Sequence, residues 1–137
     1  MKAITILQPW ASLIACGAKR IETRSWSTSH RGPLAIHAGR TVPIMDLFTP
    51  RVEAALWNED TPFGKVIAIA ELVDCVEMTI ERIAEWRDMY GDDEIAFGHF
   101  EPGRYAWILA NVRRIEPVLA KGRQRLWEWD KARFDGR

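Results

Sequence analysis

The sequence predicts a single α+β domain whose strands curl into a small barrel with short helices at its edge. Three observations carry this. Helical and strand patterns follow one another in mixed order, without repeating strand–helix–strand units. Two long apolar, β-branched runs, at 64–76 and 105–115, promise central strands. The length of 137 residues fits one core and leaves no room for a second. The domain is expected over residues 1–130, with a polar tail at 131–137.

Each element has a local reason. Residues 2–7 read as an opening strand. Pro9 suits the first position of a helix, where its missing N–H costs nothing. Trp10, Leu13 and Ile14 then recur at helical spacing, and Gly17 is placed to end the helix in a left-handed conformation. Two turns cannot stand alone, so this helix must be pinned by packing through Trp10 and Leu13. Residues 20–26 read as a strand, with Arg20, Glu22, Arg24 and Trp26 on one face and Ile21, Thr23 and Ser25 on the other. A polar loop leads to Gly32-Pro33 and a second strand over 34–38. Residues 40–62 hold three prolines, with a short helix at 52–57 and a loop at 58–64. The run at 64–76 reads as a central strand. Thr79 caps a helix that reaches Tyr90, with Gly91 as its stop. Residues 92–103 read as an acidic loop, and 105–115 as a strand ended or bent by Pro117. Residues 121–129 form a last strand or short helix.

Composition is that of a soluble globular protein, 47% apolar and 28% charged. No apolar run is long enough to span a bilayer, and the first residues show no signal-peptide pattern. Cys16 and Cys75 sit in apolar contexts without CxxC spacing, so two reduced thiols in a cytoplasmic protein are expected. The net charge of zero hides a strong asymmetry. Residues 1–51 hold seven Lys/Arg against two Asp/Glu, residues 52–101 three against thirteen, and residues 102–137 nine against four. If the two ends meet in the fold, they form a basic face that favours polyanions. The alternative is charge balancing between packed segments.

The densest chemistry lies just past the first helix. Lys19, Glu22 and Arg24 pair two cations with a carboxylate, able to bind a phosphate or a polar base edge. Gln8 stands at the helix N-terminus, beside free N–H groups that can meet an anion. Arg31 adds a phosphate contact. Of the seven tryptophans, Trp26 is the stacking candidate, because alternation places it with Glu22 and Arg24. Most of the others are expected in the core. Against the site reading stands a surface salt-bridge cluster of little energetic weight. Glu71 closes a nearly uncharged strand and is a candidate carboxylate. His30, His37 and His99 lack metal-ligand spacing, so no metal is expected. No phosphate-loop, dinucleotide or nucleophile-elbow motif occurs, and no cofactor is implied.

The residues Leu7-Gln8-Pro9-Trp10-Ala11-Ser12-Leu13-Ile14, followed by Gly17-x-Lys19-x-x-Glu22-x-Arg24-x-Trp26, resemble the opening signature of ASCH domains, the activating signal cointegrator homology family. The segment from Gly64 to Glu71 and the late run from Tyr105 to Arg113 are similar to further family elements. The resemblance covers most of residues 3–129. It implies a fold similar to the PUA domain: a small mixed β-barrel with flanking short helices and a cleft lined by Gly17, Lys19, Glu22 and Arg24. Lys19 has the opposite strand parity from Glu22 and Arg24, so it must reach the cleft from the turn after Gly17. The family implies binding of RNA or single-stranded nucleic acid, DNA included.

Two functions follow as expectations. The first is a nucleic-acid-binding module in which Lys19, Arg24 and Arg31 contact phosphate, Gln8 and Glu22 read a base and Trp26 stacks. The second is a hydrolase acting on RNA or on a modified nucleoside such as N4-acetylcytidine, as one branch of similar proteins does with a Lys, a Thr and a Glu. Lys19 matches that lysine, Glu22 occupies the threonine position with Thr23 beside it, and Glu71 is the candidate third residue. A third class, an adaptor docking a protein through the acidic segment 77–101, stays open. No membrane partner is expected.

Overall fold

A computed structural model describes residues 1–43 and 45–130; the polar tail expected at 131–137 lies outside the described residues. Strand β1 spans Lys2–Ile6, helix α1 Trp10–Ala15, β2 Ile21–Arg24 and β3 Gly32–Ala38. A 3₁₀ turn at Met45–Leu47 precedes α2, Pro50–Ala55. There follow β4 (Lys65–Glu77), α3 (Ile80–Tyr90), α4 (Asp92–Ala96), β5 (Tyr105–Leu119) and β6 (Leu126–Glu128). The strands form one sheet in the order β2-β5-β4-β3-β1-β6. It curls into a half-barrel whose edges, β2 and β6, are not hydrogen-bonded to each other. No helix among the described residues is long and apolar enough to cross a membrane.

Alternation along the strands sorts side chains onto two faces. Ile4, Ile36 and Ala68 are register partners across β1, β3 and β4, and they line the concave side with Ile6, Leu34, Ala70, Leu72, Trp107 and Leu109. Helix α1 plugs this side with Ala11 and Ile14. On the convex side Ala3, Ala35 and Ile69 form the adjacent row, covered by Trp127 and Trp129. His37 belongs to that face. Trp127 Nε1 donates to Thr5 Oγ1 at 3.1 Å, Thr5 Oγ1 lies 3.1 Å from His37 Nδ1, and His37 Nε2 lies 2.8 Å from the Ala120 carbonyl. These bonds are consistent with a neutral ring whose Nε2–H donates and whose Nδ1 accepts. Near the other end, Ile21, Met78 and Ala106 are covered by Ile83, Trp86 and Tyr90 of α3.

The structure departs from the sequence reading in four places. Pro9 is the N-cap of α1 rather than its first residue. The helix expected at 52–57 begins earlier, at Pro50, because the Thr49 side chain accepts from the Val52 amide. The expected acidic loop at 92–103 contains α4, whose buried Glu94 is tied to β2. Strand β5, expected over 105–115 with an end or a bend at Pro117, runs on to Leu119 with its irregularity at Pro117. Its pairing explains this: Val66 faces Val118 and Ala68 faces Arg114, so Pro117 sits in a bulge where the ladder asks for no donor.

Candidate functional site

The site begins at the end of α1. The Gly17 amide bonds to Ile14 and the Lys19 amide to Leu13, with Gly17 at φ +86°. That left-handed turn closes the helix and sends Lys19 inward ahead of β2. The route expected for Lys19, through the turn and not the regular strand, is the one observed. Its side chain is 1% exposed. Nζ donates to the carbonyls of Ile21, at 2.6 Å, and Phe97, and lies 3.8 Å from Glu22 Oε1 and 5.7 Å from the centre of the Trp10 ring. Burial pushes the Lys19 pKa down, while the nearby Glu22 and Glu94 oppose that shift.

A second clamp reinforces the first. The Glu94 carboxylate accepts from the Arg20 amide at 2.9 and 3.0 Å and from the Ile21 amide at 3.1 Å. Burial raises the Glu94 pKa, and those two amides hold it back. Glu94 and Lys19 therefore lock the segment 94–98 against the start of β2. Gly98 is needed there: a Cβ would stand 3.0 Å from Thr23 Cγ2, 3.0 Å from Phe100 and 3.1 Å from Lys19 Nζ.

Glu22 and Arg24 share a face of β2, opposite Trp107 and Tyr105 of β5. Glu22 is 6% exposed. Its Oε1 accepts from the Thr23 amide at 3.1 Å, and its Oε2 lies 3.1 Å from Arg24 Nε and 2.9 Å from Arg24 Nη2. Arg24 Nη2 also donates to the Thr5 carbonyl at 2.9 Å. Strand β6 pairs with β1 only over Lys2 to Ile4, so Arg24 takes over where the ladder stops. Trp26 follows β2, packed edge-to-face with Trp107 at 4.9 Å.

These groups converge. A cleft of about 700 Å³ opens at the seam of the half-barrel, lined by Lys19, Glu22, Arg24 and Trp26 among the expected residues. Thr5, Trp10, Thr23, Gly98, His99 and Arg104 line it too. Trp10, read from sequence only as a packing residue, has this second position. Thr23 belongs to the other strand face, and its hydroxyl accepts from the His99 amide at 3.0 Å.

Four expected residues stand elsewhere; Gly17 turns the chain into the site but is not among the cleft-lining residues. Gln8 is fully buried and braces α1: its side chain accepts from the Ser12 amide at 3.0 Å and donates to Ser12 Oγ and the Pro62 carbonyl, each at 2.8 Å. It is part of the scaffold and is not among the cleft-lining residues. Arg31 is exposed and bonds to Thr28 and His30 carbonyls and to Asp74 at 3.4 Å. Glu71 alternates with the core residues Ala70 and Leu72, so it points away from the concave side. Its carboxylate accepts from Asn111 at 2.7 Å, at a shallow depression of its own. Part of the charge asymmetry resolves as balancing between packed segments. Arg31–Asp74, Arg51–Asp93 and Arg114–Glu59 balance the basic ends against the acidic middle. The ends also meet, since the N-terminal ammonium donates to the Trp129 carbonyl at 2.8 Å.

The curled mixed sheet with its short helices is a PUA-like fold, and in this chain a cleft with cationic and aromatic walls opens at its seam. The chain belongs to the ASCH domain family, whose sequence pattern matches residues 4–119. It is 26% identical to activating signal cointegrator 1 of Homo sapiens and, equally, of Mus musculus, in each case over 97% of this chain. The chain spans 23% of the length of those two relatives. Among solved structures it resembles ASCH from Zymomonas mobilis, with a TM-score of 0.62 and 16% identity over 96% of this chain and 88% of that one. A mutant form of that bacterial protein aligns with a TM-score of 0.57 and 18% identity, covering 95% of this chain and 90% of that one.

Proposed function

We propose that the cleft binds nucleic acid, most naturally RNA, by taking a base between Trp10 and Trp26 and presenting Arg24 and Arg104 to phosphate. The observation that supports this reading is the convergence of Lys19, Glu22 and Arg24 with two tryptophans in one cleft of about 700 Å³. That is room for a nucleotide-sized ligand. Glu22 supplies an acceptor for a base amine, and Arg24, whose Nε and Nη2 are held by Glu22 and the Thr5 carbonyl, offers Nη1 to an oxyanion. Stacking on an aromatic contributes about 1–3 kcal/mol per base. Anisotropy titrations of a labelled single strand at several salt concentrations test the reading. Affinity is expected to fall linearly on a log–log plot through counterion release, and further in Arg24→Ala. Salt-independent binding, or none to RNA or single-stranded DNA, overturns it.

A second reading, hydrolysis of RNA or a modified nucleoside, draws on one observation. Lys19 is a buried amine in the cleft wall with its pKa pushed down by desolvation, a pattern found at reactive sites. Glu22, 3.8 Å away, would serve as the general base. Incubation with N4-acetylcytidine and short RNAs tests it. Turnover that disappears in Glu22→Gln and Lys19→Ala, with folding checked by circular dichroism, supports hydrolysis; no turnover by the wild type rejects it for those substrates.

A further inference from the structure

The loop between β5 and β6 carries Lys121, Arg123 and Arg125 at alternate positions, all exposed. Among the described residues none of the three has a carboxylate within ion-pair distance. The loop is nonetheless held in place. The Ala120 carbonyl accepts from His37, and Gly122 sits so close to β1 and β3 that a Cβ there would lie 2.5 Å from Thr5 Oγ1 and 2.7 Å from His37. Arg125 adopts φ +59° just before β6, a conformation rare outside glycine. Its guanidinium stacks on the Trp26 ring, 4.3 Å from the centre. The loop thus lies over β1 and β3, and its last residue reaches the aromatic wall of the cleft through the Arg125 side chain. Thr5 joins the two: its side chain meets the loop, and its carbonyl holds Arg24.

We infer that this loop is a phosphate track, and that the cleft takes a nucleotide embedded in a strand rather than a free nucleoside. The inference rests on the nucleic-acid reading above and refines its ligand class. A nucleoside would use only the cleft. A strand threading the seam would lay successive phosphates along Arg125, Arg123 and Lys121; among the described residues none of the three is ion-paired, and Arg125 rests on the Trp26 ring without a counter-charge. Charge on a fixed loop adds affinity for a polyanion without the cost of ordering a flexible one.

The experiment compares free nucleosides, their 5′-monophosphates and RNA and DNA strands of about six nucleotides. They are titrated into the wild type, Arg24→Ala, and a combined Lys121→Ser, Arg123→Gln variant, which leaves Arg125 on Trp26. Affinity is expected to rise from nucleoside to monophosphate to strand. The loop variant is expected to lose about 25-fold in strand affinity at 0.1 M salt and about 1.4 in the salt slope, the sum of two single-strand phosphate contacts. Its nucleoside affinity stays within a few-fold of the wild type. Strand binding with an unchanged slope in the loop variant, but weakened by Arg24→Ala, overturns the phosphate track and leaves the cleft reading standing. Absence of binding to every probe by the wild type removes both.

Discussion

Arg24 places Nε and Nη2 on the same carboxylate oxygen of Glu22, at 3.1 and 2.9 Å, while that Nη2 also reaches the Thr5 carbonyl at 2.9 Å. One side chain thereby neutralises a buried acid and stitches β2 to β1 across a seam that no backbone ladder closes. Such a joint leaves a concave, polar opening in an otherwise apolar half-barrel.

Removing the joint has a graded cost. Arg24→Ala leaves Glu22 buried without its forked partner and frees the Thr5 carbonyl. The expected loss is about 1–3 kcal/mol in urea denaturation. Glu22→Gln keeps an acceptor for Arg24 and is expected to lose less. Equal losses in the two variants would show that the carboxylate charge is not what Arg24 compensates.

Gly98→Ala probes the approach of segment 94–98 to β2. A methyl group there meets Thr23, Phe100 and Lys19 Nζ at 3.0–3.1 Å, so the segment must move. Overpacking of this kind costs about 1–3 kcal/mol. The shift also loosens the bond from Lys19 to Phe97. A thermal melt within 1 °C of the wild type would contradict the packing described.

His37 makes stability depend on pH. Burial, the largest cause, pushes its pKa below the ordinary imidazole value. The folded state then binds fewer protons than the unfolded chain. Stability holds above about pH 6.5 and falls as pH drops from there toward the folded pKa. Glu94, raised by burial, acts in the opposite sense, so the comparison must isolate the imidazole. Thermal melts of wild type and His37→Asn between pH 8 and 5 do so: the wild type loses more on acidification. Parallel curves would remove His37 as the cause.

The tryptophans separate by burial. Trp107 is fully buried on the concave side, and Trp107→Ala is expected to cost about 3–5 kcal/mol. Trp57 is 79% exposed, and Trp57→Ala is expected to stay within about 0.5 kcal/mol. Denaturant midpoints with unchanged slopes measure both.

Much of the site was legible in the sequence because its first half is local. Gly17, Lys19, Glu22, Arg24 and Trp26 lie within ten residues, and a helix stop plus period-two alternation is enough to aim four side chains at one place. The outward direction of Glu71 is also legible in its alternation with Ala70 and Leu72, because a residue between two inward apolar neighbours points outward. The role of Gln8 is not legible in the sequence, because a helix-terminal amide can serve an anion or its own helix, and only the positions of Ser12 and Pro62 decide which.

The sequence by itself determined the α+β class, most element positions and the charged turn after α1, since propensity, capping and periodicity act over a few residues. Tertiary structure alone decided what stands across the cleft from Lys19, Glu22 and Arg24. The opposite wall comes from Gly98, His99 and Arg104, the Phe97 carbonyl that receives Lys19 is 78 residues away, and Arg125 arrives from the far edge of the sheet. Periodicity reports which face a residue presents. What stands across from that face is set by how the sheet curls and where its ladders stop, and here β6 stops at Ile4 and leaves the seam for Arg24 to hold.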